Sequence, residues 1–188
     1  YYYKILANEM GAKSHLAIAP NHVYIKHLDE KGKWVNIELT NGHLSSDAWM
    51  ISSMGISAES IKSGIYMDAL SEKESVALCL WDLAMSYQHA NGYDSFVLKC
   101  CNKVIEHFPT CISALMTKSN CLVMMGRQEQ AHAISQGEQV TPQMKKIREQ
   151  IITLNDQIET LGFRDMPQDL YEEWLNSVEE EKQNQTPK

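Results

Sequence analysis

The chain has 188 residues, of which 44% are hydrophobic and 22% are charged, and its formal net charge is −7. This composition is typical of a globular protein with a hydrophobic core and not of a disordered chain. An acidic chain disfavours a nucleic-acid interface, which needs a basic face, and no apolar run reaches the roughly 18 residues of a membrane span.

The cysteines predict neither a disulfide framework nor a zinc site. Their number is odd, they contain no Cys-x-x-Cys pair, and all fall in helical-looking segments: Cys79, Cys100, Cys101, Cys111 and Cys121. We expect mostly buried thiols, which favour a reducing, cytoplasmic compartment. The histidines that suggest a metal share no helical face with an acid, namely His15, His22, His27 and His43. We therefore expect no metal and, without a glycine-rich phosphate loop, no cofactor.

The first 20 residues predict a helix and then a strand. Residues 1–10 have helical composition, and Gly11 stands where a helix ends. Residues 14–19 form a short, mostly apolar run before Pro20, which indicates a buried strand. The chain begins without an initiator Met inside this predicted helix. We expect the natural N-terminus, with any signal peptide, to lie upstream of Tyr1.

Residues 21–42 predict a β-hairpin that brings an imidazole and a carboxylate together. Apolar and polar residues alternate along 22–27 and 34–40, and turn residues separate the two runs. A five-residue loop over 28–32 pairs His22 directly with Glu38, with Cβ atoms roughly 5 Å apart. If the second strand slips by two residues, the same side chains stay on each face of the hairpin. His22 then stands opposite Thr40, and Glu38 becomes a diagonal neighbour of His22.

Two short helices follow the predicted hairpin. Residues 45–54 begin with serines that suit a helix N-cap, and Ser57 begins a second helix over 57–63. Beyond residue 66 the composition is entirely helical. We therefore predict a first domain of mixed helix and strand over residues 1–66.

Residues 67–142 predict two helical hairpins. The first unit has a turn at 91–92, a second helix over 94–107 and these marker residues: Leu80, Leu83, Ala84, Tyr87 and Pro109. The second has a turn at Gly126 and the markers Leu115, Ala131 and Pro142. The pattern resembles the tetratricopeptide repeat, which has a period near 34 residues. The resemblance implies an all-α repeat region.

The last part of the chain predicts capping helices over 143–182 and a disordered tail over 183–188. Thr141 caps a helix whose apolar seam is Ile147, Ile151, Leu154, Ile158 and Leu161. This seam is too short to indicate a coiled-coil dimer and is typical of a helix that packs on the last repeat. A final helix over 167–181 carries Leu170, Trp174 and Val178 on one side.

The string NHVYIKH…GKWVNIELTNG, at 21–27 and 32–42, resembles the second half of a transglutaminase-like, papain-like cysteine-hydrolase core. In that family a His opens one strand, and the next strand carries Gly-x-Trp, an acid and then Thr or Pro. The residues at those places here are His22, Gly32, Trp34, Glu38 and Thr40. The resemblance implies an α+β core, with His22 as the general base and Glu38 as the acid that orients it.

The nucleophile of that family is a Cys at the N-terminus of the helix that precedes these strands, where the helix dipole stabilises a thiolate. By resemblance that Cys stands just upstream of Tyr1. All five cysteines of the chain follow Glu38, in the wrong order for the family. We therefore expect this chain alone to be inactive and its longer parent to be a cysteine-dependent acyl hydrolase or transferase.

Two non-catalytic interpretations stand beside this one. An exposed His opposite a Glu is commonly only a polar cross-strand pair. The repeats either brace the first domain or make the protein a scaffold that binds a peptide or protein through polar groups such as Asp82, Gln88, Lys118 and Asn120. We also expect Trp34, Trp49 and Trp81 to lie in the core.

Overall fold

The computed structural model of this protein describes residues 1–39, 42–173 and 175–176. Over these residues the protein is a mixed α+β protein with one four-stranded antiparallel sheet and a helical region. The chain forms two compact units. One comprises Tyr1–Glu72 and the segment that begins at Arg164, and the other comprises Lys73–Phe163.

The first unit is built around the sheet. It contains helix α1 (Tyr2–Glu9) and the strands β1 (Ser14–Ala19), β2 (His22–Leu28), β3 (Trp34–Ile37) and β4 (Leu44–Ser45), in the spatial order β1-β2-β3-β4. The predicted strand over 14–19 is confirmed, and Gly11 follows α1 with a positive φ of +78°. Strand β4 was not predicted, because two residues are too few to show a periodicity.

The register between β2 and β3 differs from the predicted one by two residues. Ile25 pairs with Ile37, and Leu28 pairs with Trp34. The loop therefore covers 29–33 and not 28–32, and β3 ends at Ile37 and not at 40. The predicted direct pairing of His22 with Glu38 is wrong. The observed register is that of the two-residue slip, and Thr40 lies outside the described residues.

The turn itself explains this register. The Asp29 Oδ1 accepts hydrogen bonds from the backbone N–H groups of Lys31 at 2.9 Å and Lys33 at 2.8 Å. The N–H of Asp29 donates to the carbonyl of Lys33 at 2.9 Å. Gly32 adopts a φ of +74°, a conformation that glycine reaches without a steric penalty. These bonds close the loop between Asp29 and Lys33 and leave Leu28 opposite Trp34.

Strands β1 and β2 are covered on both faces. One face buries Leu16, Ile18 and Ile25, and the other buries Ala17, Ala19 and Tyr24. The outer edge of β1 is also covered, because the N–H groups of Met67 and Leu70 donate to the carbonyls of Ile18 and Leu16 at 2.9 and 2.8 Å. An edge satisfied in this way does not pair with another chain.

Helices α2 (Asp47–Met54) and α3 (Ala58–Lys62) confirm the two predicted helices. The Ser46 Oγ accepts from the N–H of Trp49, and the Ser57 Oγ accepts from the N–H of Ser60, as N-caps do. Helix α2 buries methionines and not its tryptophan. Trp49 is 46% exposed and Trp34 is 41% exposed, so the prediction that both belong to the core is wrong.

The second unit is entirely helical in its described elements. Its helices are α4 (Glu72–Asn91), which begins at the unit boundary, α5 (Ser95–His107), α6 (Ile112–Ser135) and α7 (Pro142–Thr160). The predicted turn at 91–92 is confirmed by the end of α4 and by Gly92, whose φ is +80°. A buried cluster of Val97, Cys101 and Cys121 joins α5 and α6. Half-buried side chains pack against this cluster, namely Tyr87, Tyr93, Leu98 and Met125.

The predicted turn at Gly126 is wrong, because this residue lies inside α6, which is 24 residues long. One glycine costs a helix interior at most about 1 kcal/mol relative to alanine, and good helix formers flank Gly126. A side chain is also tolerated here, since a Cβ at Gly126 would lie 3.4 Å from the Ile147 Cγ2, an ordinary contact distance. The chain turns at Gly137, whose φ is +75°.

Helices α6 and α7 form one long antiparallel hairpin. The Thr141 Oγ1 donates to the Glu129 Oε1 at 2.8 Å near the turn, and Ser119 contacts Asn155 at 3.3 Å near the other end. Thr141 caps α7 as predicted, by accepting from the N–H of Met144. No helix within the described ranges is both long and apolar enough to cross a membrane.

The C-terminal predictions are covered only in part. Residues 168–173 and 175–176 are helical, within the predicted final helix. Leu170 packs against Gly55, because a Cβ added at Gly55 would lie only 2.8 Å from the Cδ2 of Leu170. Trp174 and Val178, the rest of that helix and the predicted disordered tail over 183–188 lie outside the described residues.

We predict that Gly126→Ala raises the free energy of unfolding by up to about 1 kcal/mol, because alanine favours a helix interior more than glycine does. Urea denaturation followed by circular dichroism measures the change. The matched control is Gly137→Ala, which places a side chain at a φ of +75° and should destabilise by about 1 kcal/mol. If Gly126→Ala lowered the free energy of unfolding and Gly137→Ala raised it, the turn would lie at Gly126 and not at Gly137.

Candidate active site

The two residues that the sequence singled out meet on the sheet. His22 opens β2, and Glu38 directly follows the last residue of β3. The His22 Nε2 and the Glu38 Oε2 form an ion pair, and their side chains are 12% and 18% exposed. The pair is therefore shielded from water on most sides but still reachable.

The contact forms across a diagonal. Continuing the observed register by one residue places Glu38 beside Tyr24 and leaves His22 as its diagonal neighbour. Diagonal Cβ atoms lie roughly 7–8 Å apart, a distance that only long side chains span. Glutamate has one methylene more than aspartate, and this extra length lets the carboxylate reach the imidazole.

Tyr24 supports the His22 ring from the same face of β2. The two rings are parallel within 5°, with centroids 6.3 Å apart. The Tyr24 O–H donates to the Met67 Sδ at 3.4 Å. Burial, and then the negative charges of Asp47 and Asp68, raises the pKa of Tyr24 above its ordinary value. The phenol of Tyr24 therefore stays protonated at neutral pH.

The backbone of Glu38 is hydrogen-bonded to the backbone of Gly42 and His43. Its N–H donates to the carbonyl of His43 at 2.9 Å, and its own carbonyl accepts from the N–H of Gly42 at 2.8 Å. Gly42 has a φ of +72°. The main chain that carries the acid is thus fixed on both of its hydrogen-bonding groups.

A second polar cluster lies on the same face and joins the sheet to α2. The Asn36 Nδ2 donates to the Asp47 Oδ1 at 2.7 Å, and the Lys26 Nζ lies 3.5 Å from the same oxygen. Asn36 is buried, and its Oδ1 has no hydrogen-bond partner among the residues that the structure describes. Sequence reasoning missed this cluster, although an asparagine in the middle of a strand is unusual enough to have signalled it.

The pair has the chemistry of a base held by an acid. A carboxylate on Nε2 fixes the ring tautomer with its proton on that nitrogen and stabilises the imidazolium. The other ring nitrogen, Nδ1, is then the atom that can take a proton from a nucleophile. This tautomer follows from the ion pair, in which Nε2 is the ring nitrogen that meets the Glu38 Oε2.

None of the cysteines belongs to the compact unit that holds this pair. All five lie within Lys73–Phe163, while His22 and Glu38 lie in the other compact unit. Cys79 is exposed on α4 and the other four are buried, which confirms the prediction of mostly buried thiols. Burial raises the pKa of Cys101 to about 12 and that of Cys111 to about 11. At neutral pH these groups are thiols and not activated nucleophiles.

The other histidines of the first unit have partners of their own. The His15 Nδ1 lies 2.9 Å from the carbonyl oxygen of Leu70, and the His27 Nδ1 lies 2.7 Å from the Ser14 Oγ on the opposite face. Trp34 packs edge-on against His15 at 5.6 Å. Within the described residues no three His, Cys, Asp or Glu side chains converge to hold a metal ion.

The polar residues predicted to line a peptide-binding face are divided between two helices. Asp82 and Gln88 lie on α4, and Lys118 and Asn120 lie on α6. A contact that the sequence did not reveal joins these helices, because the Trp81 Nε1 donates to the Thr117 Oγ1 at 3.0 Å. Trp81 is therefore half-buried between α4 and α6, where its indole N–H has the partner that burial requires.

No protein-family model, no curated protein and no solved structure matches this chain.

We predict that Cys79 is the thiol that iodoacetamide labels first in the folded protein. The reagent attacks the thiolate, and a pKa of about 12 for Cys101 leaves roughly one molecule in ten thousand ionised at pH 8. Mass spectrometry of peptides after timed alkylation at pH 8 gives the rate for each cysteine. In denaturant all five should react at similar rates. Rapid labelling of Cys101 or Cys111 in the folded chain would contradict their burial.

Proposed function

We propose that His22 and Glu38 are the general base and the orienting acid of a transglutaminase-like cysteine hydrolase. The observation that carries this proposal is the shielded ion pair between the His22 Nε2 and the Glu38 Oε2. The resemblance of 21–27 and 32–42 to that family supports the same roles. The family's acid is commonly an aspartate, and the diagonal geometry accounts for a glutamate here.

The proposed reaction is acyl transfer through a thioester. The Nδ1 of His22 takes the proton of a cysteine thiol, while Glu38 stabilises the imidazolium that forms. The thiolate then attacks the carbonyl carbon of an amide, and the amine leaves with the proton from His22. Water, or a second amine, then attacks the thioester carbonyl and gives a proton to the imidazole, the C–S bond breaks, and the cysteine leaves as the thiolate beside the imidazolium. Hydrolysis follows in the first case and transfer in the second.

The proposed nucleophile precedes α1. The family's Cys stands at the N-terminus of the helix before the strands, and α1 is the helix that precedes β1 and contacts it. Our proposal therefore puts the Cys immediately upstream of Tyr1 in the parent protein. The burial of four of the five cysteines of this chain supports a nucleophile from elsewhere.

We predict that, in the parent protein with its upstream segment, an iodoacetamide probe labels a Cys directly before Tyr1 faster than any other cysteine. His22→Ala should slow this labelling by roughly a hundredfold, because the base that forms the thiolate is lost. Glu38→Gln keeps the shape but removes the charge, and should slow it by at least about tenfold. Mass spectrometry of the labelled peptide measures each rate.

The matched control is His89→Ala, since His89 is an exposed histidine on α4. This variant should label at the rate of the unchanged protein. Thermal melts of the three variants separate a loss of reactivity from a loss of folding. Labelling that falls on another cysteine, or that is indifferent to His22→Ala, would contradict the catalytic proposal.

A second candidate is a non-catalytic scaffold whose tetratricopeptide-like helices bind a peptide or protein. The observation that favours it is the placement of every cysteine of the chain outside the unit that holds His22. Buried Ala84, at a marker position of the repeat pattern, also supports close packing of the helices there. Exposed Leu83, at another marker position, does not. Failure of the labelling experiment with a folded parent protein would leave this candidate.

A further inference from the structure

A groove runs between α6 and α7, at the place where α6 has no side chain. Gly126 lies at one side of it, and the turns of α7 from Met144 to Ile152 form the other. The groove encloses about 540 Å³. A Cβ at 126 would lie 3.4 Å from the Ile147 Cγ2, at an ordinary contact distance, so the missing side chain leaves this side of the groove open.

The walls of the groove are apolar and partly open to solvent. Its apolar residues are Val140, Met144, Ile147, Ile151 and Ile152. Val140 is 58% exposed and Ile152 is 51% exposed. Large aliphatic side chains that are half exposed around one groove are typical of an interaction site and not of a closed core. The hairpin of α6 and α7 thus exposes apolar side chains that its own helices do not bury.

The rim of the groove is basic. Lys145 and Arg148 line it, and they stand three residues apart on the same face of α7. Neither forms an ion pair with any acid in the described part of the chain. The chain as a whole carries a net charge of −7, so two unneutralised cations beside an apolar groove are a local exception to its overall charge.

We propose that this groove binds an acidic amphipathic helix of a partner protein. Residues 145 to 152 span two turns, about 10 Å along the axis of α7, which matches apolar anchors at i, i+3 or i+4, and i+7 of a second helix. Two carboxylates on the flank of that helix, three or four residues apart, would meet Lys145 and Arg148. The proposal does not depend on the roles of His22 and Glu38.

The test is a selection from displayed helical peptides of about 14 residues, four turns, against the full chain. The library places leucine at the anchor positions and varies Asp, Glu, Lys and Gln at the flanks. The expected winners carry acidic flanks. A synthetic labelled copy of the winner should bind in fluorescence anisotropy, and Lys145→Glu with Arg148→Glu should weaken its binding at least about tenfold.

The matched control is Lys146→Glu, the same change one residue away on α7 at a position outside the groove. It should change binding less than about threefold, since salt screens the charge. A peptide with lysine for glutamate should bind the double variant better than the unchanged chain. Equal loss from Lys146→Glu would overturn the proposal, as would winners without acidic flanks or an absence of winners. A dimer of the chain that Ile152→Glu dissolves would assign the groove to a second copy instead.

Discussion

The hydrogen bonds that Asp29 accepts from the backbone of Lys31 and Lys33 determine which side chains meet across the first sheet. They close the loop so that Leu28 faces Trp34, and every later pair of β2 with β3 follows from that one. One face of β2 carries His22, Tyr24 and Lys26 in a row, whichever register β3 adopts. The register decides which β3 residues stand opposite this row, and it places Glu38 beside Tyr24 and diagonal to His22.

Local chemistry was sufficient to predict many of the elements. A short, mostly apolar run and a following proline indicated the strand over 14–19, and serine caps indicated α2 and α3. The end of α4 near Gly92 followed from turn chemistry. The register did not follow, because a slip of two residues preserves the alternation of apolar and polar side chains. Only the hydrogen bonds of the Asp29 turn distinguish the two alternatives, and these are not visible as a pattern of hydrophobicity.

The same limit applies to the candidate site and to the helices. His22 and Glu38 were identified from residue type and spacing, and the residues that support them were not. Tyr24 shares its face of β2 with His22 and Lys26, yet it is buried and its O–H donates to the Met67 Sδ. Gly126 resembled a turn residue, whereas it lies inside α6 and faces Ile147 of α7. In both cases tertiary packing decides what a local signal means.

The two compact units offer different chemistry. The first holds the contact between His22 and Glu38 on a sheet in which the outer edge of β1 is covered, and a rigid support of this kind is what a catalytic site needs. The second buries four thiols and leaves an apolar groove with a basic rim open. A catalytic first unit and a binding second unit are thus separate proposals, each with its own residues.

The most direct test of the account is the tautomer of His22 in the full chain, read from long-range ¹H–¹⁵N NMR of its imidazole at a pH where the ring is neutral. The account predicts a proton on Nε2 and none on Nδ1, because Nε2 faces Glu38. Glu38→Gln should change this spectrum, while exposed His89 should show the averaged pattern of a free ring. A His22 protonated on Nδ1, or one that cannot be distinguished from His89, would contradict the claim that Glu38 holds His22 as a base.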